Sequence, residues 1–312
     1  MSSDPLADYR TLQRVEAAHI MLDLAYPALT KSAGAREAYL AAYDDELLAR
    51  LWKQCEPHSV VDLFRARHLL AGLVAALEQP GDVIECGVAG GGTALLLGLA
   101  LRELAPERTL FLCDSFEGLP EPDPTKDRQY AAGDYACARP VIEALLAEHG
   151  LTEHCVLVEG WFSDTLADVV ADRIFAFAHI DCDLYTSCRD CLDHVMPHMA
   201  PRGYVVFDDY HDGSRGVWRA VNEYLAGSGE RLHLGPMSQV TLVTGEKPQA
   251  GQEEVTLHLN PAGMPSPGGD SVTFCLDALH HDQAFQAFVG QARGFWAGRL
   301  ELLEGYCRLM PG

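Results

Sequence analysis

The sequence predicts an α/β fold built on a mostly parallel sheet with helices on both faces. Three observations carry this. Short apolar runs alternate with helical stretches from Asp82 to Val243, the pattern of strands linked by crossover helices. Two of those runs, 174–181 and 203–208, are apolar almost throughout, as strands covered on both faces must be. Glu85, Asp114, Glu159, Asp181 and Asp208 all fall at or near predicted strand ends, where such sheets bind ligands.

The bulk numbers are consistent with a folded domain of this class. A chain of 312 residues with 48% hydrophobic residues holds one large domain with additions. The 45 acidic against 23 basic residues leave a formal charge of −22, which repels phosphate backbones and anionic membranes. Nucleic acid and membrane are therefore not expected as partners, whereas cation binding is easier to accommodate. The N-terminus lacks the basic-then-apolar pattern of a signal peptide. Ten cysteines without such a signal read as reduced thiols in a cytoplasmic protein. The longest apolar stretch, near Thr93–Leu101, is too short to span a bilayer.

Each element follows from local pattern. Residues 4–43 carry apolar positions at three- and four-residue spacing and predict helix. A second amphipathic helix runs from Val60 to Leu77, stopped by Gln79-Pro80-Gly81. Asp82–Gly87 is a strand entering glycines, and Thr93–Leu104 a helix. Arg108–Asp114 is a strand, and Glu117–Tyr135 a proline-bearing loop. Pro140–His149 is a helix and Cys155–Glu159 a strand. The strand 174–181 precedes a helix at Ser187–His198. The strand 203–208 precedes a helix at Gly216–Leu225 and a strand at Gln239–Val243. Beyond Gly245 come linker-like residues, then Val255–Leu259 alternating as a strand does. A loop at 260–270, a strand at Ser271–Leu276 and a helical stripe at 281–309 complete the chain. The expected organisation is an N-terminal helical lid or oligomerisation region (1–59), a catalytic domain (60–247) and an extension packed on the core or a second subunit (248–312).

Four constellations carry chemistry. Glu85-Cys-Gly87-Val-Ala-Gly-Gly91-Gly-Thr93 sits at a strand-to-helix turn. Its glycines allow close approach of a ligand, and the helix start offers N–H groups. The spacing is wrong for a nicotinamide fingerprint, because Ala89 stands where the second glycine belongs. An acidic residue two before the first glycine suits a ligand bearing an amine, as S-adenosylmethionine does. Asp114, followed by Ser115, can accept ribose hydroxyl protons. Trp161, Phe162 and Ser163 follow the third strand and could line an adenine pocket. The bland alternatives are an ordinary tight turn, a loop cap and core aromatics. Finally, Asp181-Cys-Asp183 and Asp208-Asp209-Tyr210 end the two most apolar strands. Bringing these carboxylates together raises a repulsion that a divalent cation, with magnesium favoured by oxygen ligands, would relieve. The alternative is helix capping, or pairing with Arg189, Arg215 or Arg219. Cys188, Cys191, His194 and His198 mimic zinc spacing, but one helix would spread them over about 15 Å, so zinc is not expected.

With these residues assembled, the chain resembles the macrocin O-methyltransferase family, which methylates sugar hydroxyls of antibiotics. The matching runs are Gly81-Asp-Val-Ile-Glu-Cys-Gly-Val, Asp114-Ser-Phe-Glu-Gly-Leu-Pro, Gly160-Trp-Phe-Ser-Asp-Thr-Leu, Asp181-Cys-Asp-Leu-Tyr-Thr-Ser and Gly203-Tyr-Val-Val-Phe-Asp-Asp-Tyr. The resemblance implies a Rossmann-like class I methyltransferase fold with a seven-stranded sheet. It implies magnesium at Asp181, Asp208 and Asp209, and proton removal by Asp181 or Asp183. N-terminal helices would form a lid, and subunits would pair as a homodimer or larger oligomer. The chain departs from the family at Ala89-Gly90, where a Trp-Arg pair is usual. Leu184 stands where catechol-type relatives carry lysine.

The expected activity is therefore S-adenosylmethionine-dependent methylation of a hydroxyl, on a vicinal diol of a sugar or polyketide natural product, with a divalent cation assisting. The cofactor set is Glu85, Gly87, Gly91, Thr93, Asp114, Ser115, Trp161, Phe162, Ser163 and Asp181. The catalytic set is Asp181, Asp183 and His211. Rival readings are a magnesium-dependent phosphatase or phosphotransferase using Asp181-x-Asp183, and a non-catalytic cofactor-binding relative.

Overall fold

The computed structural model describes residues 46–127, 129–210, 216–236, 239–247, 254–259 and 270–275. The predicted helical stretches at 4–43 and 281–309, and His211, lie outside the described residues. Within them, helices α1 (Glu46–Cys55) and α2 (Leu63–Ala76) precede β1 (Asp82–Cys86). Then follow α3 (Gly92–Leu104), β2 (Leu110–Asp114), α4 (Arg139–Glu148), β3 (Cys155–Glu159), α5 (Phe162–Val170) and β4 (Phe175–Ile180). After these come α6 (Tyr185–Val195), β5 (Met199–Phe207), α7 (Gly216–Leu225), β6 (Arg231–Leu234) and β7 (Val240–Val243). The last two strands are β8 (Glu254–Leu259) and β9 (Asp270–Cys275).

All nine strands join one sheet in the order β3-β2-β1-β4-β5-β7-β6-β9-β8. Strands β1 to β5 are mutually parallel, and β7 enters antiparallel between β5 and β6. The seven-stranded class I arrangement is thus present and is extended. β9 pairs parallel with β6 and β8 antiparallel with β9, so the two C-terminal strands continue the sheet to nine. β6, α5 and α1, the last within the region expected to be helical, had no counterpart among the elements expected from sequence. β6 is only four residues long, too short for a period-two signal to emerge. α5 is amphipathic, but its aromatic and hydroxyl start reads equally well as pocket lining.

The two faces of the sheet are covered by different helices. α5, α6 and α7 pack on one side through Leu166, Val170, Cys188, Leu192, Val217 and Val221. α1, α2, α3 and α4 cover the other through Leu51, Leu69, Leu73, Leu95, Leu99 and Ile142. Each such buried aliphatic side chain contributes roughly 1.5–3 kcal/mol relative to exposure. The order 3-2-1-4-5 reverses direction between β1 and β4, the place where a doubly wound sheet opens a crevice. There the ends of three strands are held level. Gly87 N–H donates to the Cys113 carbonyl, Asp181 N–H to Cys86 and Asp208 N–H to Ile180, each at 2.9 Å. This positions Gly87, Asp181 and Asp208 side by side.

Candidate active site

The turn after β1 is built for close approach. Gly87 has φ 97° and Gly91 φ 84°, a region that glycine enters without strain. A Cβ at Gly87 would run into the Asp181 carbonyl oxygen. Helix α3 starts after Gly91 with no side-chain cap, which leaves its first N–H groups to a ligand. Asp114 organises this turn. Its Oδ2 accepts from Val88 N–H at 2.7 Å and Ala89 N–H at 3.3 Å, and Oδ1 from Phe116 N–H at 2.7 Å.

A cavity of about 310 Å³ opens above the turn. Of the residues singled out from sequence, Gly87, Thr93, Asp114, Ser115, Trp161, Phe162, Ser163, Asp181, Asp183 and Asp209 line it. Two cofactor assignments do not fit. Gly91 is not among the lining residues, and a Cβ there would meet Leu145 and Ile142 of α4. Glu85 is fully buried in the sheet, and its Oε1 accepts a hydrogen bond from His179 Nδ1 at 2.9 Å. β1 and β4 place these two residues directly opposite one another, a register that the sequence of either strand alone does not disclose. The segment before α2, His58 to Val61, forms a wall of the cavity, as do Leu119, Pro120, Asp134 and Tyr135 of the long loop.

The carboxylate cluster is assembled, with partners the sequence did not reveal. Asp208 is completely buried behind the cavity wall. Its Oδ1 accepts from Arg65 Nη1 at 2.9 Å and from Asp209 N–H at 3.0 Å, and its Oδ2 from Gln239 Nε2 at 2.8 Å. His179 Nε2 lies 3.7 Å from Oδ2, an ion-pair distance too long for a good hydrogen bond. The pairing partner of Asp208 is thus Arg65 of α2, not Arg189 or Arg219, which bond to Asp193 and Glu223 on their own helices. Among the described residues, one group of donor atoms gathers within 4.8 Å, and it comprises His179, Asp181 and Asp208. Asp209 lines the cavity beside that group without joining it. Cys188 and Cys191 are buried in the core, and they form no metal-ligand group with His194 or His198 among the described residues.

Electrostatics follow from this packing. Burial opposes a charge on His179, but Asp208, Glu85 and Asp181 overcome it and push its pKa up to about 10. Asp208 is held below the usual carboxylate range, against its burial, by Arg65 and His179. Burial and the Asp208 charge raise Asp181. Burial, Asp209 and Cys182 push Asp183 up to about 9, with the Tyr130 hydroxyl pulling the other way. Asp181 and Asp183 therefore sit in a site with more negative charge than its resident cations offset. Added positive charge would find oxygen donors there, which suits a divalent cation.

His179 gives a stability prediction. Its folded pKa lies above the ordinary value near 6.5, so the native state holds the proton more tightly than the unfolded chain. The stabilisation is complete below pH about 6.5 and is lost as pH rises through about 10. His179→Gln is expected to be less stable than wild type near neutrality, with the gap in thermal midpoint closing toward pH about 10. Thermal unfolding across that range checks it, and a constant gap would reject it.

Comparison with known proteins agrees with this fold. A family model described as macrocin O-methyltransferase matches residues 58–239, more than half of the chain. A tetracenomycin-C rhamnosyl 4'-O-methyltransferase of Streptomyces olivaceus is 34% identical over 178 residues, 54% of this chain and 67% of that protein. The mycinamicin III 3''-O-methyltransferase of Micromonospora griseorubida is 30% identical, over 49% of this chain and 65% of that protein. Among solved structures, the O-methyltransferase NovP superposes with a TM-score of 0.56 at 28% identity, covering 61% of this chain and 83% of that one. The calicheamicin methyltransferase CalS11 shares the fold, with a TM-score of 0.51 at 23% identity over 64% of this chain and 92% of that one.

Proposed function

Because this chain belongs to the macrocin O-methyltransferase family, we propose that it transfers a methyl group from S-adenosylmethionine to a hydroxyl of a sugar or polyketide natural product. The observation that carries the reading is one cavity lined both by the glycine turn and by Asp181, Asp183 and Asp209. A cofactor and an acceptor oxygen can therefore meet in one space. The names of the relatives describe O-methylation of a rhamnosyl tetracenomycin and of mycinamicin III, and the vicinal diol is the further step proposed here. Free-thiol chemistry and the acidic surface fit a cytoplasmic enzyme. Among the described residues no helix is long and apolar enough to cross a membrane.

S-Adenosylmethionine supplies an electrophilic methyl group. The chain must place the cofactor and align an acceptor oxygen with it. Gly87 and the start of α3 would hold the cofactor's polar end, Asp114 and Ser115 its ribose, and Trp161, Phe162 and Ser163 its adenine. Asp183, on the cavity wall, takes the acceptor's proton. A divalent cation, with magnesium as the natural candidate, would be held by Asp181 and Asp208, whose oxygens gather in one group, with Asp209 of the adjoining cavity wall completing the set, and would make the acceptor hydroxyl more acidic. Arg65, Gln239 and the Asp209 amide already bond to Asp208. That carboxylate is therefore held rigidly in place.

Calorimetric titration with S-adenosylmethionine, with magnesium and with chelator, tests the reading. Wild type is expected to bind at micromolar concentration. Asp114→Ala removes both the ribose acceptor and the brace under Val88 and Ala89, so it is expected to weaken binding by about tenfold or more. Folded protein that binds under neither condition would overturn the assignment.

A further inference from the structure

We propose that Arg65 is a positioning residue, one that latches the His58–Val61 wall of the cavity to the carboxylate cluster. Its guanidinium makes three bonds to three different places. Nη1 donates to Asp208 Oδ1 at 2.9 Å, Nε to Asp62 Oδ2 at 3.1 Å, and Nη2 to the Val60 carbonyl at 3.2 Å. Asp62 in turn caps α2, its Oδ1 accepting from Phe64 N–H at 2.7 Å and Arg65 N–H at 3.2 Å. The planar fork of arginine is suited to such a three-way tie, and the single ammonium of lysine is not.

The wall also presses on the cofactor turn. A Cβ on Gly90 would lie 2.7 Å from the His58 carbonyl oxygen, and one on Gly92 would run into Ser59. His58 and Ser59 thus occupy space that any side chain at positions 90 and 92 would need. The same segment touches the glycine turn at one end and, through Arg65, Asp208 at the other. The strand ends already hold Gly87 beside Asp181 and Asp208, so the latch fixes where this wall stands against both the turn and the carboxylates. Arg65 is itself a cavity-lining residue with a side chain only 18% exposed, and its Asp208 partner is fully buried. This is how a bond that bridges 143 positions of sequence can hold its geometry.

The latch is tested first without any ligand. In Arg65→Met, amide hydrogen exchange at residues 58–64 is expected to accelerate by about tenfold or more, as loss of charge-assisted hydrogen bonds implies. β3 and α5, on the far side of the sheet, keep their wild-type rates. Arg65→Lys keeps a charge near Asp208 but not the fork, so it should loosen the same wall while the thermal midpoint stays near wild type. If Arg65→Met fails to fold, Arg65→Lys decides alone. A lysine variant with wild-type exchange at 58–64 would overturn the latch, and so would acceleration spread over the whole domain. Resting on the cofactor reading, both variants should also bind S-adenosylmethionine about tenfold more weakly. A wall that loosens in a protein whose wild type binds no cofactor would keep the latch and remove that reading. Unchanged affinity in a cofactor-binding variant with a loosened wall would overturn the latch's role in positioning.

Discussion

Asp183→Asn is expected to lower the methylation rate by about two to four orders of magnitude, the usual contribution of a positioned general base. Asparagine has the size of aspartate and tolerates the left-handed backbone equally well, which matters because Asp183 sits at φ 59°. The fold should therefore survive, and the loss should be one of chemistry. S-Adenosylmethionine affinity is expected to stay close to wild type. The pH profile carries more information than the rate. Burial, then Asp209 and Cys182, hold Asp183 at about 9, so without added divalent cation the wild-type rate should climb with pH through that value as the base form appears. Adding magnesium should move this limb to lower pH, because a nearby cation favours the carboxylate. The asparagine variant should lose the limb. Initial-rate measurements on a glycosylated polyketide acceptor over pH check both points, and a variant that retains the limb would move the proton transfer to another group.

Gly87→Ala is expected to abolish cofactor binding and to destabilise the domain by more than about 3 kcal/mol. Two effects add. The residue would be strained at φ 97°, and its Cβ would collide with the Asp181 carbonyl oxygen, which belongs to backbone and cannot swing aside. The collision also involves Asp181, which follows β4 directly, so relief by movement would pull apart the strand ends that frame the cavity. Gly133→Ala is the control. Gly133 has φ 85°, but a methyl group there would meet nothing within 4 Å, so it incurs only the backbone strain of about 1 kcal/mol. Denaturant unfolding of both variants separates the terms. Similar losses in the two would mean that close packing at Gly87 contributes little.

The two variants probe parts of the site that differ in how far sequence reveals them. Gly87 is legible because the turn is local: a strand runs into glycines and a helix follows within a few residues. The same holds for Asp114, Trp161 and Asp183, each of which ends or follows a strand whose pattern is clear. Glu85 is the instructive departure. Its position two before the first glycine suggests a ligand, yet period-two alternation turns it into the sheet, where His179 of β4 faces it. His179 itself stands inside an apolar run and gives no signal of its own, and Gln239 is visible only as the start of a strand.

The alternation of strands and helices, the glycine turn and the placing of carboxylates at strand ends are written locally along the chain. These depend on local periodicity and backbone preference, which act within a few residues. Packing between distant segments is what closes Arg65 on Asp208, stands His179 between Glu85 and Asp208, and extends the sheet through β9 and β8 beside β6. Strand register and helix docking set these contacts. Both are chosen by the burial of whole faces against one another, so no single segment of the chain encodes which distant partner it meets.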